Sequence, residues 1–558
     1  MEHPRTRARV VVAMAGIGAL AVALLLFGLA SGTLLGPTGS PALAAPHFVD
    51  ERVTAGIDHS YDGDFLYFVG GGVAVMDCDG DRRPDLYLAG GASPAALYHN
   101  ESAVGGALRF MQLPRPELEL TGVTGAYPLD IDGDGLVDLA VLRTGENVLL
   151  RGLGDCRFER ANEAWGFDGG QAWTTAFSAT WEGDATWPTL AFGNYLVLGP
   201  DGPADFTCED GQLIRPLQPS GPYGQSTKLS PSWCSLSMLF SDWSRTGERD
   251  LRVSNDHHYY SDYSDGSEQL WRVVPGEPPR LYTAADGWQT LRLEGMGIAS
   301  QDLTGDGVPE VYLTSQAGNR LLTLTDGTGS PDYHDISFET GTHAHGPSTG
   351  GDTRPSTAWH PQFDDVNNDG LMDLFVTRGN VEAQAEYATK DPNELFIGQP
   401  DGTFQVGTEA ADIVTFARSR GAALADLNLD GLLDLVVVER QQNVGLWRNV
   451  GAGDGADPAA MGHWLGIRLH EDGPNGDAIG SWIEVRADGR VTQREVTVGG
   501  GHGSGELGPT HFGLGDSEQA EVRVQWPDGE SGPWLPVAAD GFYTVERGGS
   551  AAQAWTLP

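Results

Sequence analysis

Four carboxylates, Asp130, Asp132, Asp134 and Asp138, fall at positions 1, 3, 5 and 9 of one short stretch, with Gly133 and Gly135 at positions 4 and 6. Acids two residues apart repel unless a cation neutralises them. Hard oxygen ligands this dense suit Ca²⁺, which takes roughly 6–8 oxygens. The residue at position 7, Val137 in this loop, would lend a backbone carbonyl.

The pattern recurs. Asp77, Asp79, Asp81 and Asp85 again supply four carboxylates. Asp365, Asn367, Asp369 and Asp373 supply three and an amide, as do Asp426, Asn428, Asp430 and Asp434. Asp302, Thr304, Asp306 and Glu310 keep three acids. Two relatives are poorer: Asp242, Ser244, Thr246 and Asp250, and Thr180, Glu182, Asp184 and Thr189. The expectation is five structural Ca²⁺ sites and two weak or empty ones. An EF-hand needs a Glu at position 12 and flanking helices. Leu88, Val141, Val376 and Val437 stand there, between strand-like flanks, so that reading fails. The competing structural reading is that the acids only make Asx-type turns, which a single loop could satisfy but five at a regular period make the poorer account.

Other chemistry is thinner. His343, His345 and Gly346-Pro347-Ser348-Thr349-Gly350 combine a histidine pair with a GxSxG string, but a nucleophile elbow needs a strand before it and a helix after it. The flanks here are Gly-rich and polar. His257-His258 and His343/His345 read as loop histidines before transition-metal ligands. Trp165, Trp173, Trp181 and Trp187 could stack on sugars, with core packing the favoured use.

These residues need elements to hold them. The loops start at Asp77, Asp130, Thr180, Asp242, Asp302, Asp365 and Asp426, 50 to 63 residues apart, which is the length of a supersecondary unit. Each repeat runs from small or glycine residues through an apolar strand and the acidic loop to a second, aliphatic strand such as Leu139-Ala140-Val141-Leu142. A further strand follows in most repeats, as in Leu97-Tyr98-His99-Asn100 and Leu446-Trp447-Arg448-Asn449. Short strands at this period predict an all-β, seven-bladed β-propeller over residues 48–450. Gly199 to Trp233 and Glu339 to Pro355 read as insertions, and Glu382 to Lys390 as one short helix. A linker is expected over 451–463, then a small separate β domain over 464–547 with turns at Asn475-Gly476, Asp488-Gly489 and Asp528-Gly529, and a tail over 548–558.

The net charge of −43, from 34 basic and 77 acidic residues, argues against nucleic acid and anionic membrane surfaces as partners. Hydrophobic content of 40% with 15 Trp argues against general disorder. Arg5, Arg7 and Arg9 precede an apolar run from Val10 to Ala30, and Ala42-Leu43-Ala44-Ala45 follows. Residues 1–47 therefore read as a cleaved signal peptide or an uncleaved N-terminal membrane anchor. Either places the rest outside the cytoplasm, where Cys78, Cys156, Cys208 and Cys234 can form disulfides. Cys208–Cys234 is the favoured pair.

Together these features resemble the FG-GAP/VCBS repeat proteins with a C-terminal ASPIC/UnbV domain, the cartilage acidic protein family. The opening Val53-Thr54-Ala55-Gly56-Ile57-Asp58-His59 and Gly71-Gly72-Val73-Ala74-Val75-Met76-Asp77 are similar to that family's first blade. Asn475-Gly476-Asp477-Ala478-Ile479-Gly480, His511-Phe512-Gly513-Leu514-Gly515 and Val524-Gln525-Trp526-Pro527-Asp528-Gly529 are similar to its ending. The resemblance implies an integrin-like propeller with Ca²⁺ in its blade loops and a non-enzymatic role binding an extracellular protein or glycan. The alternative is an exported enzyme, acting on polysaccharide, with its site on the face formed by the insertions.

Overall fold

The computed structural model describes residues 43–199, 202–219, 221–256, 266–316, 318–343, 356–381, 390–452 and 461–558. The apolar run over 10–30, the histidines at 257, 258 and 345, the GxSxG string and most of the helix expected at 382–390 lie outside them. Among the described residues no helix is long and apolar enough to cross a membrane.

Seven four-stranded antiparallel meanders carry the acidic loops, each loop joining a blade's first strand to its second. The first strands are Val73–Met76, Val123–Leu129, Thr174–Thr180, Ser235–Ser241, Gly295–Gln301, Ala358–Asp364 and Ser419–Ala425, in blades 1 to 7. Each adjoins the first strand of the next blade, and that of blade 7 adjoins blade 1, so the ring closes around an axial channel. The chain is thus the all-β propeller its periodicity predicts. First and second strands are covered on both faces by neighbouring blades, which is why Asp138–Arg143 is aliphatic with almost no alternation. Outer strands such as Phe158–Arg160 bury one residue and expose the rest.

Three details depart from the sequence reading. Phe48–Asp50, which the sequence placed only at the start of the repeat region, belongs to the last blade: it pairs antiparallel with Gly445–Asn449 as the outermost strand of blade 7, Phe48 opposite Asn449. Phe48 then packs among Phe375, Leu395, Leu435 and Trp447, so the two ends of the propeller segment share one sheet and one core. Gly199 to Trp233 is only partly an insertion, because Gly211–Ile214 and Thr227–Leu229 are the outer strands of blade 3. The expected tail is structured: Gln553–Ala554 pairs with Tyr543 and Thr544, and Trp555 stacks on Phe542 with centroids 5.3 Å apart.

The C-terminal domain has two four-stranded sheets around Leu465, Ile467, Ile483, Phe512, Val522 and Val524. It has its own core but is not separate from the propeller. Between Arg490–Glu495 and Thr510–Gly515 the chain leaves the domain and runs through the axial channel as a glycine-rich finger, Val496 to Leu507.

Both disulfides fall within the propeller. Cys208–Cys234 forms as expected, and Cys78–Cys156 ties the first acidic loop to the outer turn of blade 2. The tryptophans of blade 3 are mainly core: Trp165, Trp173 and Trp181 are buried, and Trp187 packs edge-on against Trp165.

Candidate metal centres on the blade loops

One construction is repeated in every acid-rich loop. The carboxylate at position 1 closes the turn, accepting from the backbone N–H at position 4 or 5 through one oxygen and from position 6 through the other. Asp77 accepts from Gly80 and Arg82 (2.7 and 2.8 Å), Asp130 from Gly133 and Gly135 (both 2.8 Å), and Asp302 from Gly305 and Gly307 (2.8 and 2.9 Å). Asp365 and Asp426 do the same with Asp369 and Gly370, and with Asp430 and Gly431. At position 9, Asp85, Asp138, Glu310, Asp373 and Asp434 each accept from the N–H at position 2. The second oxygen reaches towards the third strand, to the N–H of Asn100, Gly152, Gly398 or Asn449, or to the Thr323 hydroxyl. The acids therefore do make Asx-type turns. Turn-making and cation binding are compatible, because a carboxylate offers about four lone-pair sites and these bonds use only some of them.

Convergence separates the loops. Ligand oxygens of Asp77, Asp79 and Asp85 all lie within 4.8 Å of one another, as do those of Asp130, Asp132 and Asp138. Asp81 and Asp134 stand aside as partners of arginines, Asp81 with Arg83 and Asp134 with Arg151, both at 2.7 Å. Arg151 also pairs with Asp132 at 2.8 Å, yet Asp132 Oδ1 is buried without a hydrogen-bond partner. Asn428 Oδ1 of the seventh loop is likewise buried and unsatisfied, while its amide nitrogen donates to Gly106 and Asp430. A buried oxygen with no donor is costly, and both atoms belong to the expected ligand sets. The residues present thus fit a hard divalent cation, which Asp77, Asp79 and Asp85 would hold in one loop and Asp130, Asp132 and Asp138 in the next.

In the remaining rich loops position 3 is Thr304, Asn367 or Asn428, so no third carboxylate joins those at positions 1 and 9 from there. Burial, then the neighbouring carboxylates Asp365 and Asp369, holds Asp373 well above the usual carboxylate range, and Asp434 is raised the same way by burial and by Asp430 and Asp426. Glu310 is pushed up to about 7 and Asp130 to about 6, burial leading in both. Packing like charges this way costs energy that a divalent cation would reverse. In the fifth loop Thr304 and Asp306 are exposed, and Asp306 caps the Val308 N–H. In the sixth, Asp369 accepts from the Leu43 N–H (2.8 Å) and the Asn367 amide donates to the Leu43 carbonyl (3.1 Å).

The two poor loops satisfy themselves by other means. Arg215 pairs with Glu182 at 2.8 Å in the third, supplying a cation from the chain itself. In the fourth, Asp250 accepts from Trp243 Nε1 (2.9 Å) and the Tyr282 hydroxyl (2.8 Å).

All these loops open on the face covered by the C-terminal domain. Arg494 pairs with Asp364 beside the sixth loop (2.5 Å), His511 Nε2 meets Asn368 Oδ1 (2.7 Å), and Glu495 accepts from Ser241 and Asp242. A cavity of about 280 Å³ remains between the two domains beside the finger, its polar lining including Gln301, Gln362, Asp364, Arg494 and Glu506. The sequence reading missed this contact altogether. Its one visible signal is the run Gly499-Gly500-Gly501-His502-Gly503 in the middle of a β domain.

A ring of four-stranded blades with an acidic turn between first and second strands defines a β-propeller of repeated acidic-loop type, capped by a second β domain. Residues 77–141, 302–376 and 365–437 match the FG-GAP-like repeat, and residues 471–552 match the ASPIC and UnbV family. The chain is an FG-GAP repeat protein with a C-terminal ASPIC/UnbV domain. The matched repeats contain the five acid-rich loops and omit those at Thr180 and Asp242. No curated protein matches the chain in sequence. Among solved structures it is similar to BBS1N in complex with ARL6DN (10% identity, TM-score 0.39, covering 74% of this chain and all of that one). It is also similar to an Agrocybe aegerita protein recognising non-reducing terminal N-acetylglucosamine (15%, 0.38, covering 69% and 92%) and to Trypanosoma rangeli sialidase with the inhibitor DANA (8%, 0.34, covering 63% and 57%). Nothing about function follows from likenesses this remote.

Proposed function

We propose that this protein is an exported, Ca²⁺-stabilised propeller acting as a non-enzymatic binding or adhesion module towards an extracellular protein or glycan. One observation carries the reading: in two successive blades three carboxylates converge on a common point, and one of their oxygens, Asp132 Oδ1, is buried with no donor. A bound Ca²⁺ would supply charge neutralisation and fix the turn between two strands. The chain's own acids also close that turn, so the metal braces the turn within each blade and leaves recognition to other surfaces. Two disulfides support a location outside the cytoplasm. With the loop face covered by the second domain, the opposite face, where the first strands begin, is left for a partner; the half-buried Phe65 and Phe68 lie there over the buried Trp173, Tyr195 and Trp359.

The test is a glycan and protein array probed with the purified exported part, with Ca²⁺ and with chelator. Selective binding that fades on chelation is the expected result. Binding indifferent to chelator would sever the metal from the function, and turnover of an arrayed glycan would replace the binding reading with the enzymatic one.

A further inference from the structure

The finger bonds to the inner strands of successive blades. Val498 O accepts from the Ala179 N–H (3.3 Å) and the Ser178 hydroxyl (2.5 Å) in blade 3. Gly500 and Gly501 donate to Met238 O and Ile298 O in blades 4 and 5 (both 2.7 Å). Gly503 O accepts from Ala126 in blade 2, and Gly505 to Leu507 pair in parallel with Ala74 to Met76 in blade 1. Blade glycines face it: a Cβ on Gly72 or Gly125 would overlap the Gly503 backbone, and one on Gly421 of blade 7 would overlap Ser504 Oγ. Because the finger enters from the acidic-loop face and its tip lies level with Gly70 to Gly72, it spans the channel.

At the tip, His502 is fully buried with Trp359 5.0 Å away, and its bonds fix its protonation state. Its Nε2 accepts from the Gly70 N–H at 2.9 Å, leaving Nδ1 to donate to Met296 O at 3.4 Å. The His502 N–H donates to His360 Nδ1 at 3.0 Å, so that nitrogen too must carry no proton. A proton on either acceptor would set N–H against N–H.

We propose that Val496 to Leu507 is a releasable plug of the propeller axis, latched by the neutral His502–His360 pair and let go by acid. The charged and titratable surroundings agree. Arg420 of blade 7 is the charge acting on His502, and it opposes a second positive charge. His360 has the neutral amide of Gln362 beside it, and Glu506 reaches only the far side of that amide, at 3.3 Å. Among the described residues no carboxylate bonds either ring. Burial, helped by Arg420, pushes His502 down to about 3, and burial pushes His360 down to about 4. This device does not depend on the loops holding Ca²⁺.

Hydrogen exchange on the full chain at pH 7 and pH 4.5, corrected for intrinsic rates, decides it. A released histidine titrates near ~6.5, so each one multiplies the open population about 100-fold at pH 4.5. Peptides spanning Val498 to Ser504 should lose protection by that order or more, while Asp138–Arg143 in blade 2 keeps its own. The doubled variant His502→Gln with His360→Gln offers acceptor oxygens that do not ionise, and should hold the finger at both pH values. Retained protection of the finger at pH 4.5 in the wild type would overturn the proposal. So would loss spread evenly over all blades, or equal acid release in a folded doubled variant. If the doubled variant does not fold, the wild-type comparison of finger against blade 2 decides alone.

Discussion

Chelation should lower the melting temperature by an amount that counts the working loops. Extracellular Ca²⁺ modules bind at about 10⁻⁴–10⁻³ M, so at about 10 mM free Ca²⁺ each occupied site adds about 1.4–2.7 kcal/mol through RT ln(1 + [L]/Kd). The compact unit Ser40–Pro558 has just over 500 residues. At about 2.1 cal/mol/K per residue its melting entropy is about 1.1 kcal/mol/K. Two sites, at the convergent loops of Asp77 and Asp130, then give a rise of about 3–5 °C, and five give about 6–12 °C. Differential scanning calorimetry in Ca²⁺ and in chelator reads the difference directly. Asp132→Asn, which keeps the shape but removes the negative charge of the carboxylate that carries the orphaned oxygen, should remove about one site's share, roughly 1–2.5 °C, from the Ca²⁺-dependent difference. Subtracting the chelated melt cancels the lost pairing with Arg151, worth about 0–1 kcal/mol at a partly exposed site. A wild-type melt unmoved by chelator would refute the metal assignment. An unchanged Ca²⁺ response in Asp132→Asn would refute the placement of the ion at that loop.

Two further outcomes follow from buried groups. Asp256, hydrogen-bonded by Tyr195 at 2.6 Å, is pushed up to about 8, chiefly by burial. The folded value lies above the unfolded one, so its stabilisation is complete below pH ~4 and fades as pH rises towards 8, by up to about 1.4 kcal/mol per unit. Asp256→Asn should flatten that part of the stability profile between pH 5 and 8 in urea unfolding, and a slope unchanged from wild type would contradict it. Cys78–Cys156 closes a separation of 78 residues, for which chain entropy predicts about 4.5 kcal/mol. Cys78→Ser with Cys156→Ser should cost several kcal/mol, measured by urea unfolding, against about 3.5 kcal/mol for the 26-residue separation of Cys208–Cys234.

What could be read from the residues was whatever the chain repeats locally. The nine-residue loops and the aliphatic strands after them occur once per blade, so period and pattern reveal the propeller. Pairings across the chain leave no such mark. Phe48–Asp50 is three residues long, and its partner lies about four hundred residues away, so nothing near it tells that it completes blade 7. Blade 3 hides its outer strands in a Pro/Gly-rich stretch because Thr227–Leu229 buries only Leu229. Cys78 sits inside an acidic loop while its mate lies in the turn of another blade, so spacing favours only the nearer pair. The finger was hidden by its own composition: glycine buries no side chain, and its fit is written in the matching glycines of the strands it touches. The surroundings of the loops had the same origin, since ligand types are local but the cations that face them come from the third strand, as Arg151 does, or from the other domain, as Arg490 does.

That last dependence ties the acidic loops to the C-terminal domain and can be tested at the sixth loop. Arg490 lies against Gly370, where a Cβ would strike its guanidinium, and its charge acts on Asp365 and Asp369. The sixth loop therefore has a cation supplied by the neighbouring domain, whereas in the second loop Arg151 of the same blade pairs with Asp132 and Asp134 and still leaves one Asp132 oxygen without a donor. A guanidinium and a Ca²⁺ ion compete for the same oxygens, so docking of the domain and binding at this loop oppose each other. Arg490→Gln should add about one bound Ca²⁺ per chain at millimolar free ion, measured by equilibrium dialysis. It should widen the Ca²⁺-dependent melting difference by about 1–2.5 °C and lower the chelated melt. Unchanged stoichiometry with a lower chelated melt would mean that Arg490 only fastens the domain and that the sixth loop does not compete for metal.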